Sequence, residues 1–326
     1  MTINYDKRRN RFIQKDDKIL ILGASGFVGI NFLQKLKKEG YNNLLYPSSK
    51  ELNLLDSNQV LNYMKNEKPK YLFMLAASYG GVLGCIKFPA KYLYNNAMMA
   101  LNVIYSAHEV KTFKLVYIGS SDMYPVNSVQ PLKEEYLLTG TLGKNKEGYA
   151  LGKLVGVKSC ELYYKQEKDI FFSVIPPNLY GPYDRFYSDN STVLADIICK
   201  IHEAKMNNKE SVELFGTGKP KREFLFVDDF SDALIFLAKN FEGGDNINVG
   251  SGEETSIAEL AQIVKEVIGY EGEIIFNPKY PDGVMRKILD SSKINSLGWQ
   301  AKTSLKEGII KTYDWFSNYY KRKGDF

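Results

Sequence analysis

Lys18-Ile19-Leu20-Ile21-Leu22-Gly23-Ala24-Ser25-Gly26-Phe27-Val28-Gly29 is the stretch that decides the fold. Its first half is a short apolar run of the kind a strand buried on both faces requires, and the residues from Asn31 to Lys38 keep helical spacing up to Gly40. The glycines therefore fall on a strand-to-helix turn. A missing Cβ at Gly23 allows the tight turn, one at Gly26 lets a pyrophosphate approach the backbone, and one at Gly29 lets helix and strand pack closely. The helix N-terminus then faces the phosphates, with Ser25, Phe27 and Val28 on the same turn. A glycine-rich turn is also compatible with a purely structural role, so its meaning depends on the rest of the chain.

Strands and helices alternate after it. Asn43 to Tyr46 and Tyr71 to Ala76 read as strands, Lys91 to His108 as a long helix, and Lys114 to Ile118 as a strand. Tyr149 to Gln166 reads as a helix and Ile170 to Ile175 as a strand, ended by Pro176-Pro177. The pattern predicts an α/β fold, a Rossmann-type doubly wound parallel sheet, with a smaller C-terminal substrate-binding lobe. The expected division is residues 1–177 for the dinucleotide-binding part and 178–326 for the lobe, with segment 223–250 returning to the sheet.

Composition excludes several function classes. The 326 residues are 44% hydrophobic and 25% charged, enough for a substantial core in a soluble protein. The net charge of +5 comes partly from Lys7, Arg8, Arg9 and Arg11 in a polar arm. No basic stripe with interleaved aromatics follows that arm, so no nucleic-acid role is expected. The first apolar run is brief and broken by glycines, which predicts neither a signal peptide nor a membrane span, and hence a cytoplasmic protein. Cys85, Cys160 and Cys199 are far apart and read as buried reduced thiols; with only His108 and His202 besides, no metal site is expected. Gly216-Thr217-Gly218-Lys219 lacks the spacing of a phosphate-binding loop, and no Gly-x-Ser-x-Gly turn is present.

The chemistry is carried by Ser120, Tyr149 and Lys153. Tyrosine, with a pKa of about 10 in water, can donate a proton to a developing alkoxide but recovers slowly unless its phenolate is stabilised. Lys153, one helical turn on, projects from the same face and supplies that stabilisation. Ser120, after the Lys114 to Ile118 strand, is placed to hydrogen-bond a carbonyl oxygen as hydride arrives. In a chain with 23 tyrosines a lone Tyr-x-x-x-Lys arises by chance; its place between Gly119-Ser120-Ser121 and Pro176-Pro177-Asn178 gives it meaning. After the second strand, Ser48, Ser49 and Lys50 replace the acid that would bond a ribose 2′-hydroxyl, and suit a 2′-phosphate, hence NADPH/NADP; a loop-capping role is the alternative.

Gly-x-x-Gly-x-x-Gly spacing resembles the short-chain dehydrogenase/reductase superfamily, in which Asp56 would contact the adenine; a helix N-cap is the other account of that residue. Longer motifs narrow the resemblance. Gly119-Ser120-Ser121-Asp122-Met123-Tyr124-Pro125, Tyr149-Ala150-Leu151-Gly152-Lys153, Asn178-Leu179-Tyr180-Gly181-Pro182, Arg222 to Asp229 and Pro281 to Lys287 resemble the GDP-L-fucose synthase family, over nearly the whole chain. The resemblance implies an NADPH-dependent enzyme acting on a GDP-bound 4-keto sugar, usually a homodimer packed through two long helices, in the making of surface-polysaccharide sugars. It implies cofactor contacts at Leu75, Ala76, Ala77, Pro176, Asn178 and Leu179. Substrate contacts are implied at Ser121, Asp122, Asn178, Thr192, Lys200, Phe215, Arg222 and Lys287.

The chain departs from that family at two positions. The family epimerises the sugar at C3 and C5 with a cysteine and a histidine before reducing C4; here Asp122 and Thr192 stand in their places. Threonine cannot shuttle a proton near neutral pH. The expected activity is therefore C4 ketoreduction without epimerisation, on a 4-keto-6-deoxy hexose or heptose. A bifunctional fucose synthase, a 4,6-dehydratase or 4-epimerase, and a non-catalytic dinucleotide sensor remain the alternatives.

Overall fold

The computed structural model describes residues 13–188, 191–280 and 282–323. The basic arm with Lys7, Arg8, Arg9 and Arg11, and Pro281 of the last motif, lie outside the described residues. In chain order the first elements are β1 (Ile19–Leu22), α1 (Phe27–Lys38), β2 (Leu44–Leu45), α2 (Ser57–Glu67), β3 (Tyr71–Met74), α3 (Gly81–Lys87), α4 (Pro89–Glu109), β4 (Lys114–Ile118), α5 (Glu147–Glu167) and β5 (Ile170–Ile175). Next come β6 (Asn178–Tyr180), α6 (Val193–Met206), β7 (Ser211–Phe215), β8 (Lys221–Phe226), α7 (Val227–Asn240), β9 (Asn246–Asn248), β10 (Glu254–Ser256), α8 (Ile257–Ile268), β11 (Glu273–Asn277), β12 (Arg286–Lys287), α9 (Ser292–Ser296) and α10 (Leu305–Lys323).

Six strands form the central sheet in the order β2-β1-β3-β4-β5-β9, every neighbouring pair parallel. Strand side chains alternate between faces, and both faces are buried, which is why β1 reads as an unbroken apolar run. Ile19 and Ile21 join Phe32 of α1, Phe73, Val116, Phe172 and Leu234 of α7 on one side. Leu20 and Leu22 join Val60 of α2, Ile104 of α4, Leu115 and Leu154 of α5 on the other. β9 reaches this sheet from beyond β6, β7 and β8, and the buried Lys114 of β4 donates to the carbonyls of Ala238 and Phe241 at the end of α7, at 2.8 and 2.7 Å. A third core, with Ile198, Leu214, Phe224, Leu260 and Phe316, holds the elements from β6 onward that stay outside the sheet.

α4 and α5 lie against each other because α5 carries glycine at every fourth position on one face. A Cβ at Gly148 would stand 2.2 Å from the Pro89 carbonyl oxygen, one at Gly152 2.9 Å from Asn96 Cβ, and one at Gly156 2.3 Å from the Tyr117 ring. The stripe seats the helix, and Tyr149 and Lys153, each one residue on from a stripe glycine, are fixed with it. Element limits differ from the sequence reading for physical reasons. α1 starts at Phe27, four residues early, since the last glycine turn is already helical, and α4 starts at Pro89, where proline fits the first helical position.

Candidate functional site

Two cavities meet at the carboxyl ends of the central strands. The first, of about 550 Å³, is lined by Gly23, Ser25, Gly26, Phe27, Val28 and Gly29, by Leu75, Ala76 and Ala77 after β3, and by Ser49. Gly23 has φ +88°, and a Cβ at Gly29 would lie 2.1 Å from the Gly23 carbonyl oxygen, so neither position admits a side chain. No side chain caps the start of α1. Its first N–H groups are thus left for an anion, and the turn fits a dinucleotide pyrophosphate. Ser48, Ser49 and Lys50 are exposed beside this cavity, with Ser49 alone of the three in its wall; the Ser48 N–H donates to Glu51 Oε2 at 2.7 Å. Asp56 caps α2, accepting from the Gln59 N–H at 3.0 Å, which gives that residue its structural account.

The second cavity, of about 420 Å³, is lined by Ser121, Asp122, Asn178, Leu179, Thr192, Arg222 and Lys287 among the sequence-derived residues. Tyr79 and Thr192 line both cavities, so contents of one touch contents of the other there. Asn178 is anchored by donating to the Glu223 carbonyl at 3.0 Å, and Pro176 is buried between β5 and β6. Lys200 and Phe215 lie outside this wall. The Lys200 ammonium sits 3.9 Å over the Phe215 ring and 2.8 Å from Asp196, and half-exposed Phe215 stacks on Tyr280 at 3.8 Å.

Ser120, Tyr149 and Lys153 are not among the residues lining either cavity; Tyr149 lies with its ring 4.9 Å from that of Tyr79, which borders both. Ser120 follows β4, accepts the Asp122 N–H at 3.2 Å and is close enough to Tyr149 to act on its phenol. Burial, with the negative charge of Asp122 and the neighbouring Tyr79, pushes the Tyr149 phenol above its ordinary range, while Lys146 and Ser120 act against that. Tyr149 is therefore a protonated donor at neutral pH. Lys153 is 2% exposed and lies 4.4 Å over the Tyr117 ring, with no carboxylate partner among the described residues. Burial lowers its pKa to about 7.

Asp122 is the most tightly held side chain of the site. Its Oδ1 accepts from Lys287 at 2.8 Å and its Oδ2 from Lys146 at 2.9 Å. Burial acts to raise its pKa, but the two ammonium groups win and hold the carboxyl well below the usual carboxylate range. Lys146 was not among the sequence-derived residues. Its only sequence signal was a position three residues before Tyr149, which becomes visible once the helix start is known. Thr192 caps α6 and donates to Asp184 Oδ2 at 2.7 Å. Asp184 is buried, and burial raises its carboxyl to about 6.

The family described as NAD dependent epimerase/dehydratase matches residues 19–250. The chain is 43% identical to GDP-L-fucose synthase 1 of Arabidopsis thaliana over 93% of its own length and 94% of that protein. It is 37% identical to GDP-L-colitose synthase of Yersinia pseudotuberculosis, over 92% and 98% of the two chains. Among solved structures, MlghC, a GDP-mannoheptose C4 reductase from Campylobacter jejuni with NADP bound, has a TM-score of 0.87. It shares 36% identity, covering 94% of this chain and 99% of that one.

Proposed function

Since the chain belongs to the NAD dependent epimerase/dehydratase family, we propose that it reduces the C4 ketone of a GDP-4-keto-6-deoxy hexose or heptose with NADPH, without epimerising C3 or C5. The coarser reading, an NADP-dependent sugar-nucleotide oxidoreductase, stands on its relatives. One observation carries the finer one: the carboxylate at position 122 is locked between two lysines in its charged form.

The residues divide the work simply. Bound NADPH supplies the hydride. Ser120 hydrogen-bonds the ketone oxygen and polarises it. Tyr149 gives its proton to that oxygen as the carbon is reduced, and Lys153, when charged, stabilises the phenolate left behind until water reprotonates it. Epimerisation needs one group to take the proton beside the ketone and another to return one on the opposite face. Asp122 is pinned and cannot act as an acid, and Thr192 has no titratable proton near neutral pH.

Reduction in deuterated water should therefore give product with no deuterium at C3 or C5, read by mass spectrometry and proton NMR. A second reading, a surviving epimerase, is favoured by the Asp184 carboxyl behind the Thr192 hydroxyl, a proton source with a pKa of about 6. It predicts deuterium at one or both carbons above the no-enzyme exchange.

The cofactor gives a separate expectation. With no acid facing the first cavity at positions 48–50, NADPH should be preferred to NADH. Ser49→Asp, placing a charge in the wall of that cavity, should narrow the ratio of kcat/KM values by about tenfold, a cost on the order of 1.4 kcal/mol. An unchanged ratio would remove Ser49 from 2′-phosphate recognition. We also propose a homodimer through α4 and α5, whose outer faces expose Tyr94, Leu101, Tyr105, Leu151 and Leu162. No helix among the described residues is long and apolar enough to cross a membrane.

A further inference from the structure

We propose that Lys146 is a specificity-determining residue, donating a hydrogen bond to a hydroxyl of the keto sugar next to the carbonyl, and that Asp122 serves to aim it. This rests on the ketoreductase reading above. Lys146 ends a single turn, Lys144–Lys146, that leads into α5, and stands three residues before Tyr149. Its ammonium is held by Asp122 at 2.9 Å and lies 5.7 Å from the centre of the Tyr79 ring, which is in turn 4.9 Å from that of Tyr149. An ammonium has three donors. Asp122 takes one, and the others belong to a side chain that is 26% accessible in the wall of the substrate cavity.

The charge count separates aiming from neutralising. Asp122 gives one oxygen to Lys146 and the other to Lys287, so one carboxylate holds two cations and leaves the cluster net positive. A partly buried triad of this kind stabilises a fold poorly compared with apolar packing. What it does provide is direction, since both lysines lose their rotamer freedom toward the cavity. Position assigns the ligand group. Arg222 and Lys287, on β8 and β12, come from the elements outside the central sheet, whereas Lys146 and Tyr79 flank Tyr149, where the ketone must lie. A fixed donor there meets the carbons beside the ketone, and a site built to bond a hydroxyl rejects a sugar lacking it.

Calorimetric titration with GDP-α-D-mannose and with GDP as probes tests the assignment without turnover. In Lys146→Met the GDP-mannose dissociation constant should rise about tenfold, with GDP changed less than about twofold. Lys146→Gln, which keeps a donor and serves if the methionine variant misfolds, should show a smaller loss on GDP-mannose alone. Asp122→Asn should weaken GDP-mannose selectively as well, since it frees the lysine it aims. Equal losses on both probes would assign Lys146 to the diphosphate and overturn the proposal, as would no loss on either. Failure of the wild-type protein to bind GDP would overturn the ketoreductase reading and this inference with it. GDP binding with an unshifted ratio would overturn the inference alone.

Discussion

Tyr149→Phe should lower turnover by about 10²–10⁴ while leaving NADPH affinity within about twofold. The substitution removes one hydroxyl and keeps the ring, so the contact with Tyr79, 4.9 Å between centroids, survives. What is lost is the phenol hydroxyl that Ser120 faces, beside Tyr79, which borders both cavities. Its raised pKa fixes the direction of the effect: at neutral pH wild-type Tyr149 holds a proton, and the variant has none to give. Single-turnover reduction under saturating NADPH, with cofactor fluorescence as the binding control, checks this. Near-wild-type turnover would remove Tyr149 as proton donor.

Lys153→Met should act in opposite directions on stability and turnover. The folded-state pKa is depressed by burial to about 7 against an ordinary value of about 10.4. Below about pH 7 both folded and unfolded states carry the proton, and the folded state bears the full burial penalty. Between about 7 and 10.4 the unfolded state binds more protons than the folded one, so this group makes stability rise with pH across that window. Methionine removes the penalty and the slope together. The variant's Tm should exceed wild type at about pH 6–7, with the difference shrinking toward about pH 10, while turnover at about pH 7 falls by about 10² or more. Thermal melts at several pH values decide the first half; a variant that melts lower at the acid end would mean that Lys153 has a compensating anion in the folded state.

The fold was legible because both faces of the sheet are covered. Ile19–Leu22, Tyr71–Met74 and Lys114–Ile118 are short, fully buried runs, and the glycine turn marks the passage from first strand to first helix, though not the helix's first residue. Ser120, Tyr149 and Lys153 could be named because one strand end and one helix turn carry them; Ser120 acts on the Tyr149 phenol, while Lys153 packs over the Tyr117 ring. The lysine pair on Asp122 could not be named. Its members come from positions 24 and 165 residues away, and no local pattern marks a contact made by three separate segments. Lys200 and Phe215, assigned from the resemblance, lie together, the cation over the aromatic ring and against Asp196, contacts that their sequence positions do not encode.

The order of strands in the central sheet bears on how the chain is made. The partner of β5 is β9, and the helix that covers Phe172 and Val174 is α7, both emerging only after β6, β7, β8 and α6. A nascent chain that has left the ribosome as far as β5 thus has a dinucleotide turn, five strands and a bare edge at Ser173–Ile175. Its apolar face stays open, and the Lys114 ammonium still lacks the carbonyls of Ala238 and Phe241. Closing that edge requires contacts across a long loop of chain, the kind that form slowly and leave unpaired strands open to association. The sheet that holds the cofactor turn is thus completed only after β6, α6, β7, β8 and α7 have been synthesised, and a product terminated before them would present a sticky sheet to the translating cell.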